Sequence, residues 1–116
     1  MDQSVLIKIV NNLKNMEYNK LVRDNIPEII TKNNQKPSTH IASEEEFRQA
    51  LKNKLYEEVN EFIETPNLGE MADVLEVMYT ICDFKEDDIK ELEIFRQEKL
   101  KKNGSFSKRI ILEKVD

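Results

Sequence analysis

The sequence is poor in several residue types: it has one cysteine, no tryptophan, one histidine, two glycines and three prolines in 116 residues. A single cysteine excludes an intramolecular disulfide and a metal site built from clustered cysteines. There is no run of eighteen apolar residues and no signal-peptide pattern, so we expect neither a membrane span nor export, and a cytoplasmic location. The scarcity of glycine and proline beside 35% charged residues is typical of a helix-rich domain.

The net charge of −5 disfavours nonspecific binding to a nucleic acid. The length suits one domain with a modest core. We expect residues 1–16 to form a helical N-terminal extension and residues 17–116 to form the domain. Apolar residues are spread over several helices, which predicts a homodimer or a dimer of dimers with a helical interface.

Two pairs of carboxylates stand at the centre of the chain. Glu58 and Glu61 are three residues apart, and so are Glu70 and Asp73; residues at this spacing lie on one face of a helix. The intervening break, residues 65–69, predicts a short connection between two antiparallel helices. We expect this hairpin to bring Glu61 opposite Glu70 and Glu58 opposite Asp73.

These carboxylates border an apolar face. At about 100° per residue, the first helix presents an apolar stripe made of Leu51, Leu55, Val59 and Phe62. Carboxylates beside such a seam repel one another and resist desolvation, and a divalent cation between the helices would relieve both effects. A solvated acidic surface is the alternative. Glu57 and Glu76 point away from the seam, which indicates solvated side chains.

Capping patterns predict the ends of the helices. Ser43 followed by Glu46 is a capping box, and Asn67 followed by Glu70 is a second one. Gly104 is a C-terminal stop signal. The expected helices are a short one opened by Pro27 and capped by Asp24 or Asn25, one over about 43–64, one from the break to about 84, and one over about 87–102.

Short strands are expected at about 18–22, 38–42 and 107–115, so the predicted fold class is mainly α, a helical bundle with a few short peripheral strands. Lys20 and Arg23 precede the helix that Pro27 opens. Free backbone N–H groups at a helix start favour an anion. Ordinary solvated cations are the alternative at this place.

Together these residues resemble the MazG-like nucleoside triphosphate pyrophosphohydrolases. That family lies in the all-alpha NTP pyrophosphatase superfamily, with phosphoribosyl-ATP pyrophosphohydrolase and the dimeric dUTPases. The pattern E-x-x-E followed by E-x-x-D is similar to the superfamily's Mg²⁺ signature. YNKLVRDNIPEII at 18–30 and KKNGSFSKRIILE at 101–113 resemble flanking motifs of a compact house-cleaning subgroup. The gap between Glu61 and Glu70 is shorter than in most relatives.

The resemblance implies Mg²⁺-dependent hydrolysis between the α and β phosphates of a nucleotide, with Mn²⁺ as an alternative ion. The implied metal ligands are Glu58, Glu61, Glu70 and Asp73. The implied catalytic carboxylates, one of which orients the attacking water, are Glu58, Glu61 and Glu57. The candidate phosphate contacts are Lys20, Arg23, Lys102 and Arg109. Two alternatives stay open: a phosphoribosyl-ATP pyrophosphohydrolase of histidine biosynthesis, and a helical interaction module without activity. No stretch indicates the base or the sugar.

Overall fold

The computed structural model describes residues 19–116, and these residues form four helices and no strand. The helices are α1 (Ile26–Lys32), α2 (Glu44–Glu64), α3 (Leu68–Phe84) and α4 (Ile89–Asn103). The predicted mainly α fold class is therefore confirmed. None of these four helices has the length and apolar composition needed to cross a membrane. The predicted N-terminal helix lies outside the described residues.

Side-chain caps set the two ends of the helix pair at the centre of the chain. The Ser43 hydroxyl accepts a hydrogen bond from the Glu46 N–H at 3.2 Å, so α2 begins where the capping box predicts. The Asn67 side chain accepts one from the Glu70 N–H at 2.8 Å. Because Asn67 already caps α3, the connection comprises only residues 65–67, which is shorter than the predicted break.

The last helix, α4, is also bounded by local signals. The Asp88 carboxylate accepts a hydrogen bond from the Lys90 N–H at 2.8 Å, so the helix begins at Ile89. It ends before Gly104, whose φ of 84° is in the left-handed region that favours glycine. The Gly104 N–H donates to the Leu100 carbonyl at 2.8 Å. No residue of α4 is buried.

The predicted strands at 38–42 and 107–115 are wrong, because both segments are irregular. Residues 19–22 of the first expected strand are irregular as well, and residue 18 lies outside the described part. A strand is stable only when a neighbouring strand pairs with it, and the part of the chain that the structure describes offers none. Arg109 has a φ of 59°, which interrupts the extended backbone. The apolar Ile111 beyond it is 83% exposed.

The chain divides into two compact units between Ile81 and Cys82. The first includes the described residues 19–81, and its most buried apolar side chains are Ile26, Ile30, Leu51 and Val77. Of the predicted apolar stripe, Leu51 is buried and the other three residues are half-buried. This small core joins α1, α2 and α3, and it holds the carboxylates of α2 and α3 away from water. In the second unit Cys82 is a buried thiol that donates to the Asp87 carbonyl at 3.4 Å.

Candidate metal centre

Three of the four predicted metal ligands lie together in the first unit. Glu58 on α2 and Glu70 and Asp73 on α3 each offer one carboxylate oxygen, and these oxygens lie within 4.8 Å of one another. Their exposed fractions are 3%, 6% and 2%. The three-residue connection between α2 and α3 makes the chain fold back, and this brings the three carboxylates together. We call Glu58, Glu70 and Asp73 the carboxylate triad.

The two carboxylate oxygens of Glu58 have different surroundings. Its Oε1 atom lies 3.2 Å from the Nζ atom of Lys54. Its Oε2 atom is buried and accepts no hydrogen bond from residues 19–116, which the structure describes. A buried carboxylate oxygen that has lost its water and gained no donor is costly. A cation bound at this oxygen would remove that cost.

Glu61, the fourth predicted ligand, is half-buried and stands beside the triad. The pKa of Glu61 is raised from 4.5 to about 7, first by burial and then by the negative charges of Glu58, Glu57 and Glu70. The shift therefore reflects the loss of water around Glu61 first and the neighbouring negative charges second. A carboxylate in such surroundings stays charged near neutral pH only when positive charge is close.

Two predicted phosphate contacts reach the same cluster from the segment before α1. The Lys20 ammonium lies 2.7 Å from Oε1 of Glu57, and the Arg23 guanidinium lies 2.7 Å from Oδ1 of Asp73. Their side chains are 29% and 38% exposed. Both residues are therefore ion-paired and half-buried, in contrast to the alternative of ordinary solvated cations. Each side chain pairs with a carboxylate and is also partly accessible to solvent.

The expectation that Glu57 is solvated is wrong. Its side chain is 27% exposed, and its two oxygens lie 2.7 Å from Lys20 and 3.5 Å from Lys54. Glu57 does point away from the apolar stripe of α2. Its partner Lys20, however, comes from a segment 37 residues earlier in the chain. Spacing within one helix cannot reveal such a partner. Glu76 is exposed, as expected.

Lys54 was not singled out by the sequence reasoning. Its residue is only 6% exposed, and it contacts both Glu57 and Glu58. The signal was present: Lys54 precedes these acids by three and four residues, the spacing at which side chains on a helix meet. The spacing alone does not distinguish Lys54, because ion pairs at this spacing are common on exposed helices.

The remaining residues singled out from the sequence are Lys102, Arg109 and His40. Lys102 is in the last turn of α4, and Arg109 follows that helix; both belong to the second unit and both are exposed. His40 is exposed, and its Nε2 atom lies 2.9 Å from each carboxylate oxygen of Glu46. His40, the only histidine of the sequence, therefore pairs with a residue in the first turn of α2.

No family model, no curated protein and no solved structure matches the chain. The chemistry of the site is therefore judged on its donor set. All three members of the triad are carboxylates, and oxygen ligands of this kind suit hard cations such as Mg²⁺ and Mn²⁺. The orphaned oxygen of Glu58 supports the same conclusion. The residues present fit a divalent metal ion.

Proposed function

We propose that the protein is a Mg²⁺-dependent nucleotide pyrophosphohydrolase of the MazG-like kind. It cleaves a nucleotide between the α and β phosphates and releases a nucleoside monophosphate and pyrophosphate. The observation that carries the proposal is the carboxylate triad, whose three buried residues bring one oxygen each within 4.8 Å across two helices. An acidic surface without a ligand would leave such carboxylates in water, where their charges are screened.

Glu58, Glu70 and Asp73 hold the ion in this proposal. Glu58 contributes Oε2, because Lys54 already occupies the neighbourhood of Oε1. When bound, Mg²⁺ neutralises phosphate oxygens and lowers the pKa of a coordinated water. The protein's own part is to fix the carboxylates in advance on two packed helices and to keep bulk water away from them.

Lys20 and Arg23 supply the positive charge that the phosphates need. Both are paired with carboxylates of the cluster and both remain accessible to solvent. A phosphate chain entering from solvent meets these cations at the edge of the site. Fixed cations stabilise the negative charge that develops on the departing pyrophosphate.

The reaction needs a carboxylate that orients water and accepts its proton. Glu61 suits this part, because it stands next to the triad and has no cation within ion-pair distance among the described residues. Glu57 is held by two lysines instead. Water adds to a phosphorus of the α–β anhydride, the bond from phosphorus to the bridging oxygen breaks, and Glu61 takes the proton.

A nucleotide panel with pyrophosphate detection tests the proposal. It includes ribo- and deoxyribonucleoside triphosphates and phosphoribosyl-ATP, each with Mg²⁺, with Mn²⁺ and with a chelator. We expect pyrophosphate and monophosphate in equal amounts from at least one substrate, and none with the chelator. Turnover of phosphoribosyl-ATP alone would favour the histidine-pathway alternative.

A matched pair of variants separates catalysis from stability. Glu58→Gln removes one buried ligand, and Glu76→Gln changes an exposed glutamate outside the triad on α3. We expect the first to lose turnover by orders of magnitude and the second to keep it. Binding of Mg²⁺ without hydrolysis of any nucleotide would instead support a helical interaction module that carries a metal ion.

A further inference from the structure

An apolar stripe of α3 is open to solvent. Its four side chains are 39–81% exposed, and they are Leu68, Met71, Leu75 and Met78. Their spacing of three, four and three residues is that of the seam along which a helix packs on a partner. At about 100° per residue this α3 stripe lies about 150° around the helix from Glu70 and Asp73. A partner bound to the stripe would therefore leave the carboxylate triad open.

A second open apolar surface follows α4, in residues 105–116, which we call the basic arm. Five large apolar side chains of the arm are 76–98% exposed, and they are Phe106, Ile110, Ile111, Leu112 and Val115. At about 3.3 Å per residue, an extended chain spans about 16 Å from Ile110 to Val115. The α3 stripe is about 15 Å long at about 1.5 Å per residue. The arm is therefore long enough to cover the stripe.

The distribution of charge indicates which partner suits each surface. Residues 99–116 contain six cations and two carboxylates, a net charge of +4, whereas the whole chain carries −5. Residues 1–98 therefore carry −9. The α3 helix contains four carboxylates and no lysine or arginine, so a second α3 would be repelled and a basic segment attracted. Among the described residues, Lys108 and Arg109 of the arm form no ion pair.

We propose that the basic arm of one copy of this chain docks on the α3 stripe of a second copy, and the reverse. The apolar side chains of the arm cover the stripe, while Lys108 and Arg109 face the acidic surface of the partner. Because each copy offers both surfaces, the exchange covers all four of them and closes with two copies. The inference needs neither a metal ion nor a nucleotide, so it is independent of the proposed function.

Cross-linking between two differently tagged variants of the full chain tests this pairing. One variant carries Leu75→Cys on the stripe, the other carries Leu112→Cys on the arm, and a short bismaleimide joins the two thiols. Cys82 is buried and should not react. We expect a dimer containing both tags to be the main product. Lys52→Cys, at an exposed position of α2, replaces Leu75→Cys in the control and should give at most a tenth of that yield.

Charge reversal tests the same contact without a cross-linker. Lys108→Glu with Arg109→Glu should raise the dissociation constant of the dimer at least about tenfold at low ionic strength, as measured by analytical ultracentrifugation. Lys36→Glu with Lys52→Glu makes the same change in net charge at exposed positions outside both surfaces. This matched control should leave the dissociation constant within about twofold of the parent.

The other occupants of the stripe give different products. Dimers formed mainly from Leu75→Cys alone would show that two stripes pair, and dimers mainly from Leu112→Cys alone would show that two arms pair. A cross-linked monomer from a chain that carries both cysteines would place the arm on its own α3. Each of these results, or a monomeric parent protein at micromolar concentration, would overturn the inference and leave the metal site and the hydrolase proposal untouched.

Discussion

Replacing Glu58 with Gln perturbs the carboxylate triad at its best-defined member. The substitution keeps the size of the side chain and removes its charge. Two Coulomb terms act on the metal-free protein. Attraction to Lys54 at 3.2 Å is about 5 kcal/mol at an effective dielectric constant of about 20. Repulsion from each of two carboxylates within 4.8 Å is about 3.5 kcal/mol on the same scale.

The two terms nearly cancel, so the metal-free variant should have a free energy of unfolding within about 2 kcal/mol of the parent. The response to metal should change much more. At a Mg²⁺ concentration 100 times the dissociation constant, a ligand stabilises the folded state by about 2.7 kcal/mol. For a domain of this size that raises the melting temperature by roughly 10 °C. Glu58→Gln should lose most of that shift.

Thermal melting with and without Mg²⁺ measures this, because the metal-free sample of each variant is its own reference. Glu76→Gln serves as the control, since Glu76 is exposed and stands outside the triad. Its Mg²⁺ shift should equal that of the parent. A full shift in Glu58→Gln would refute the reasoning and return the triad to an acidic cluster without a ligand.

Three further predictions concern other parts of the cluster and of the chain. Arg23→Ala should lower kcat/KM for the nucleotide at least about tenfold, while Mg²⁺ binding without nucleotide should not weaken, because Arg23 competes for Asp73; unchanged turnover would make Arg23 a structural cation. The folded-state pKa of Glu61 lies near 7, above its unfolded value, so without metal the free energy of unfolding should decrease as pH rises from about 4.5 to about 7. Urea titrations should find a weaker decrease in Glu61→Gln, and an equal decrease would contradict the assignment. Light scattering at micromolar concentration should give a dimer or a dimer of dimers, and a monomer would count against it.

The helices could be predicted because their ends are encoded locally. Ser43 and Asn67 each mark the start of a helix, and Gly104 marks an end. Each lies within four residues of the backbone group that it contacts. Glu58, Glu70 and Asp73 come close together because acidic residues are spaced three apart on both helices and a short connection joins the helices. Such features depend on helix geometry, which the sequence pattern carries directly.

The rest depended on contacts between distant segments. The pairs Lys20–Glu57 and Arg23–Asp73 join residues 37 and 50 positions apart, and no period in the sequence reveals them. The strand predictions failed for a related reason. Apolar residues such as Ile110 and Ile111 have strand propensity, but that propensity is realised only against a neighbouring strand, and in the described chain both side chains are exposed.

The long-range pairing of Arg23 with Asp73 has a consequence for the order of events during folding. Contacts across 50 residues carry a large loop-closure entropy, so they form late, after the helices and their short connections. The carboxylate triad does not share this long separation, because its ligands come together across a three-residue connection. The metal site should therefore form with the α2–α3 pair, before Arg23 reaches Asp73. Mg²⁺ should accordingly raise the refolding rate as well as slow unfolding.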